Sequence, residues 1–261
     1  MKKNVIVGQS GGPTAVINAS LAGVYKTAKD MGADTIYGMR YGIQGLLEKK
    51  IVDLGEKIRN DMDVELLKRT PASFLGSCRY KLPEISEDKA IYEKIFAILE
   101  ELEIMAFFYI GGNDSMDTIK KLSDYAIVKG YTTKFIGVPK TIDNDLPGTE
   151  RTFGFDTAMA MATEALDRLH TTAESHHRVM VLEVMGRYAG WIALHSGLAG
   201  GADVILIPEI PYRIESVIEK VKARQAQGKQ FSIIVVAEGS KPVGGKMTVA
   251  RLVKNSFEQV R

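Results

Sequence analysis

With 45% hydrophobic and 25% charged residues over 261 positions, the chain has the composition of an ordinary globular protein, long enough for one large domain or two of average size. A net charge of +2, from 34 basic and 32 acidic residues, excludes a broad field for nucleic acid or an anionic membrane surface, so any anion must be bound locally. The single cysteine, Cys78, excludes an internal disulfide, and no leader-like or spanning apolar run opens the sequence, so the expected location is the cytoplasm.

In chain order, apolar runs over residues 4–7, 35–38, 105–110, 134–138, 178–183, 204–207 and 231–237 read as strands. Stretches with apolar residues at three- and four-residue intervals, over 90–102, 115–128, 157–169 and 214–227, read as helices, and further helices are expected to fill the other intervals. Strands alternating with helices predict an α/β fold of parallel sheets with crossover connections. No low-complexity tract or Pro/Ser-rich linker divides the chain. The boundary is expected where an apolar strand runs into Pro139 and a polar loop, giving domains 1–139 and 140–261.

In open parallel sheets functional groups collect where strands give way to helices. The first such turn reads Gly8-Gln9-Ser10-Gly11-Gly12-Pro13-Thr14. Its glycines let backbone amides approach an anion at a helix start, although a tight turn without ligand explains it equally well. The turn Gly111-Gly112-Asn113-Asp114-Ser115 either caps a helix through Ser115 or offers Asn113 and Asp114 to a phosphate and its metal. Lys140, Thr141, Asp143 and Asp145, crowded into Pro139-Lys140-Thr141-Ile142-Asp143-Asn144-Asp145, are more than capping needs and favour a functional turn.

Arg178 and Arg187 flank an apolar strand ending in Glu183-Val184-Met185-Gly186-Arg187, and the two guanidinium forks either recognise phosphate at opposite ends of one pocket or form solvated salt bridges. The strand over 231–237 ends in Glu238-Gly239, another carboxylate at a carboxyl end. His176 and His177 match no ligand spacing and read as strand-entry or interface residues. Cys78 reads as a passive neighbour of Arg79, and Trp191 and the methionines read as packing.

The segments SGGPTAVIN, LGSCR, GGNDS, PKTIDND, EVMGR and VVAEG, in this order and spacing over nearly the whole chain, resemble the phosphofructokinase family. The resemblance implies two Rossmann-like domains with the active site in the cleft between them. It makes Asp143 the general base for the 1-hydroxyl of fructose 6-phosphate, with Arg187, Thr141 and Lys140 as the other catalytic groups. Thr141, Ile142, Asp143, Met185, Gly186, Arg187 and Glu238 would line the sugar phosphate. Arg178 would hold its 6-phosphate from a neighbouring subunit, implying a homodimer or homotetramer. Gly11, Gly12, Arg79, Gly112, Asp114, Ser115 and Lys140 would bind the phosphoryl donor, and Asn113 and Asp145 would hold Mg2+.

Members of this family that use ATP generally carry glycine at the positions of Asp114 and Lys140, whereas those that use pyrophosphate carry aspartate and lysine, so the resemblance implies pyrophosphate as donor. A reversible enzyme of glycolysis and gluconeogenesis is expected. An ATP-dependent enzyme and a non-catalytic sugar-phosphate-binding subunit are the rival readings. Two departures stand out. Asn113 replaces the aspartate most relatives carry, and the sequence stops in a helix-like stretch over 248–260, short of a HxQRGG-type segment, which is the expectation for a truncated chain.

Overall fold

A computed structural model describes residues 3–245, so the helix expected over 248–260 lies outside the described residues. The described chain forms two compact units that meet in sequence at Thr141 and Ile142. Both are α/β with predominantly parallel strands.

The first unit contains β1 (Asn4–Gln9), α1 (Ile17–Asp30), β2 (Ile36–Met39), α2 (Gly42–Leu47), β3 (Ile51–Asp53), α3 (Asp61–Arg69), α4 (Lys89–Glu101), β4 (Ile104–Gly111), α5 (Asn113–Lys129) and β5 (Lys134–Pro139). Its sheet runs β3-β2-β1-β4-β5, parallel throughout except for β3, which pairs antiparallel with β2. β3 has three residues, too few for its alternation to stand out in sequence, and it was not among the expected strands.

The pleat sorts the core. On β1, Val5 and Val7 join a cluster with Ile17, Leu21 and Tyr25 of α1 and Val64 and Leu67 of α3. Ile6 points the other way, into a cluster with Ile43 and Leu46 of α2, Tyr92, Ile95 and Phe96 of α4, and Leu122 and Tyr125 of α5. A strand covered on both faces needs apolar residues at every position, which explains the unbroken run from Ala106 to Ile110 in β4.

The second unit contains α6 (Phe155–His176), β6 (Val179–Val184), α7 (Trp191–Ala199), β7 (Val204–Leu206), α8 (Ile214–Ala226) and β8 (Ser232–Ala237), with a parallel sheet ordered β6-β8-β7. Leu166 and Ala173 of α6 and Ala193 of α7 pack on Ile233, Val235 and Ala237 of β8, with Met180, Leu182 and Val184 of β6 beside them. The opposite face of β6 carries Val179 and Val181, 45% and 61% exposed. α6 is longer than expected and ends at His177, whose left-handed backbone (φ 50) turns the chain into β6, in line with a strand-entry role. No helix among the described residues is long and apolar enough to cross a membrane.

Candidate active site

In the first unit three segments converge at the carboxyl end of the sheet. The turn after β1 is held to β4 by the Ser10 N–H donating to the Ile110 carbonyl at 2.9 Å, and the Lys140 N–H after β5 donates to the Gly111 carbonyl at 2.8 Å. Gly11 adopts φ +76, and a Cβ there would lie 3.8 Å from both the Gly112 nitrogen and Lys140 Nζ, so these three residues border one small space. The third segment arrives from the irregular stretch before α4. The Cys78 carbonyl accepts the Gly11 N–H at 3.1 Å and Ser77 Oγ donates to the Gly11 carbonyl at 2.5 Å, bringing Arg79 beside the glycines.

Lys140 is buried, 3% exposed, and its ammonium donates to the Gly12 carbonyl at 2.5 Å. Burying an amine is costly unless it is hydrogen-bonded or matched by charge, and this hydrogen bond holds Lys140 Nζ beneath the glycine turn. Asn113 and Asp114 are exposed in the first turn of α5, where a helix N-terminus favours negative charge. Ser115 faces the other way. Its side chain is buried against the hydroxyl of Ser10, and a Cβ on Gly111 would fall 2.0 Å from Ser115 Oγ, so glycine is required there. Beneath the turn, Tyr109 accepts the Ile43 N–H at 3.2 Å and lies 3.6 Å from Cys78 Sγ. Burial, with the adjacent Cys78, pushes its phenol far above the usual range and keeps it neutral.

The second unit opens on the remainder of the Asp143 turn. Asn144, left-handed at φ 57, accepts the Thr152 N–H at 2.9 Å and donates to the Glu150 carbonyl at 3.2 Å. The residue between the two aspartates thus closes its own loop and holds Asp143 and Asp145 half-buried on either side. Sequence reading passed over Asn144, although asparagine's tolerance of left-handed backbone was the available signal.

At the carboxyl end of the second sheet, β6 and β8 are neighbours, so Met185-Gly186-Arg187 and Glu238-Gly239 meet. The Glu238 N–H donates to the Val184 carbonyl at 2.9 Å and the Gly239 N–H to the Gly186 carbonyl at 3.1 Å. Gly186 has φ +142, and a Cβ on Gly239 would lie 2.0 Å from the Arg187 carbonyl oxygen. Glu209 supports this turn by accepting the Gly190 N–H at 2.8 Å. It was missed, though it too follows a strand's carboxyl end, the rule that singled out Glu238.

Arg178 precedes β6 and Arg187 follows it, so six extended residues, about 20 Å, separate the two positions at opposite ends of the strand.

Among the described residues no group of three or more His, Cys, Asp or Glu side chains forms a metal cluster. Magnesium keeps waters and is commonly held by one or two carboxylates together with substrate phosphates. Asn113 in the first unit is exposed and Asp145 in the second is half-buried, each with a side-chain oxygen of the kind magnesium takes.

Glycine-rich turns and charged side chains at the carboxyl ends of parallel strands, in each of the two units, place this chain among α/β proteins whose turns of this kind commonly bind phosphate groups. The phosphofructokinase family model matches residues 4–261, and the chain belongs to that family. The ATP-dependent 6-phosphofructokinase of Chloroflexus aggregans is 49% identical over 252 residues, 94% of this chain and 67% of that protein. The pyrophosphate--fructose 6-phosphate 1-phosphotransferase of Amycolatopsis methanolica is 44% identical over 261 residues, all of this chain and 72% of that one. Among solved structures, the pyrophosphate-dependent phosphofructokinase of Nitrosospira multiformis superposes with a TM-score of 0.84 at 37% identity, covering 94% of this chain. The chain spans 63% of the length of that neighbour.

Proposed function

We propose that the protein containing this chain transfers a phosphoryl group between pyrophosphate and the 1-hydroxyl of fructose 6-phosphate, giving fructose 1,6-bisphosphate and phosphate. The single observation that carries the donor assignment is the pair Asp114 and Lys140 at the glycine turns, with Lys140 buried and donating to Gly12. A carboxylate about 4 Å from a further phosphate opposes it by about 4 kcal/mol at an effective dielectric of 20, enough to disfavour a nucleotide's inner phosphate. The ammonium attracts the compact charge of pyrophosphate.

In this reading Gly11, Gly12, Arg79 and Gly112 hold the donor and Lys140 neutralises charge on the bridging and equatorial oxygens. Asp143 takes the proton of the attacking 1-hydroxyl, which arrives in line with phosphorus. Arg187 stabilises charge on the transferred group, while Thr141, Ile142, Met185, Gly186 and Glu238 orient the sugar phosphate. Asn113 and Asp145 would hold magnesium, which when bound screens the phosphate oxygens. Arg178 acts on the 6-phosphate of a neighbouring copy, which makes a homo-oligomer the working form. A cytoplasmic enzyme of glycolysis and gluconeogenesis follows from this assignment.

ATP as donor is the second reading, favoured by the names of similar proteins such as that of Chloroflexus aggregans. Turnover by the full-length protein with each donor, magnesium and fructose 6-phosphate separates the two. The expected result is turnover with pyrophosphate and at least tenfold less with ATP, and gain of ATP use in Asp114→Gly/Lys140→Gly. ATP turnover exceeding that with pyrophosphate in the unaltered protein overturns the donor assignment.

A further inference from the structure

Between Arg69, the last residue of α3, and Lys89, the first of α4, the chain runs without helix or strand. An ordered stretch of this length is uncommon unless it serves a site or is held by something else. This one is fastened at two places. Its second half is tied to helices, with Tyr92 Oη donating to the Pro83 carbonyl at 2.7 Å and Lys121 Nζ to the Leu82 carbonyl at 3.0 Å. Its first half is tied to two amides in the sheet and α1. Gln9 and Asn18 are both fully buried, at 0% exposure.

These amides are joined to each other and to the stretch by a closed set of hydrogen bonds. Gln9 Nε2 donates to Asn18 Oδ1 at 3.0 Å and to the Ile17 carbonyl at 3.2 Å. Gln9 Oε1 accepts the Leu75 N–H and Ser73 Oγ, each at 2.9 Å. Asn18 Oδ1 accepts the Phe74 N–H at 2.9 Å, and Asn18 Nδ2 donates to the Thr70 carbonyl at 2.8 Å. Both side-chain oxygens and both nitrogens are used, with Asn18 at the end of the SGGPTAVIN segment and Gln9 immediately before it. A buried polar network in which each amide oxygen and nitrogen is hydrogen-bonded favours one geometry, and loss of one member leaves its partners unpaired in a low-dielectric interior.

Past the second of these contacts come Ser77 and Cys78, bonded to Gly11, and then Arg79, exposed between the two fastened halves. We propose that Gln9 and Asn18 are positioning residues that latch the 70–76 stretch to the sheet and thereby set Arg79 against the glycine turn for donor binding. The inference rests on the reading of Arg79 and that turn as the donor site. Neither amide touches the donor, and each acts through Arg79. A role in core stability alone would not act selectively on one of two substrates.

The test is a double-mutant cycle in the full-length enzyme with Asn18→Ala and Arg79→Ala, measuring KM for whichever donor turns over and KM for fructose 6-phosphate. Asn18→Ala is expected to raise donor KM about tenfold, leave sugar-phosphate KM within about twofold, and add less than about twofold once Arg79 is alanine. Should Asn18→Ala fail to fold by circular dichroism, Ser73→Ala replaces it, with an expected donor KM rise of about threefold that vanishes in the Arg79→Ala background. If Arg79→Ala raises donor KM but the partner substitution leaves it unchanged, or multiplies it independently, the latch is overturned while the donor site stands. If Arg79→Ala moves neither KM, the donor-site reading falls and the latch falls with it.

Discussion

Gly239→Ala tests how the second sheet shapes its carboxyl end. The added Cβ would lie 2.0 Å from the Arg187 carbonyl oxygen, 2.6 Å from its carbonyl carbon and 2.8 Å from its Cα. All three are backbone atoms, so no side-chain rotation relieves the clash, and the turn carrying Gly186 and Arg187 must withdraw by about 1 Å or more. Forcing a carbon into packed backbone costs about 1–3 kcal/mol, and Gly186, at φ +142 with Ala189 and Ala237 against it, has little room to absorb the shift. Misplacing a catalytic group by about 1 Å costs on the order of a hundredfold in rate. Steady-state kinetics on the full-length protein should show kcat down about 10- to 100-fold and a raised KM for fructose 6-phosphate, with donor KM within about twofold. A thermal scan should show a Tm lower by several degrees, at about 2–4 °C per kcal/mol for a chain of this size. The control is Gly23→Ala, at an exposed position within α1 where a Cβ meets nothing within 4 Å. It should leave the kinetics unchanged and stabilise by up to about 1 kcal/mol. Normal turnover and normal sugar-phosphate KM in Gly239→Ala would refute the claim that this glycine sets the position of Arg187.

Asp143→Asn is expected to lower kcat by about 10²- to 10⁴-fold while changing either KM little, the signature of a lost general base, and a loss below tenfold removes Asp143 from that role. Asp203→Asn tests the fold rather than the chemistry. The Asp203 carboxylate meets Arg224 at 2.7 Å with side chains 12% and 19% exposed, and it also accepts the Ile233 N–H at 2.9 Å. Removing its charge leaves Arg224 poorly compensated in a mostly buried place and should cost about 2–4 kcal/mol, read as a lowered urea midpoint at constant slope. An unchanged midpoint would mean that solvent already screens the pair.

The α/β class and most strands were legible because parallel strands covered on both faces cannot hide their apolar character, β4 being the clearest case. β3 escaped because three residues do not establish a period. α8 shows the opposite limit. Its apolar spacing over Ile214, Val217, Ile218 and Val221 announced a helix, yet no residue of α8 is buried, so periodicity located the helix without telling what it packs against. In the candidate site, residues next to strand ends were found by a positional rule. Those whose importance is steric or supportive, such as Gly190, Gly239, Asn144 and Glu209, depend on what crosses from the adjacent strand or loop, which one-dimensional spacing does not carry.

Arg178 and Arg187 show how far spacing can be pushed once secondary structure is known. Nine positions apart on a helix, two arginines would be about 14 Å apart along the axis, still within reach of one ligand given two long side chains. With β6 occupying the six residues from Val179 to Val184, the same separation becomes about 20 Å of extended chain pointing from one end of the sheet to the other. A role for Arg178 in binding the 6-phosphate of a neighbouring copy, as proposed, would make oligomerisation a condition of catalysis rather than an addition to it.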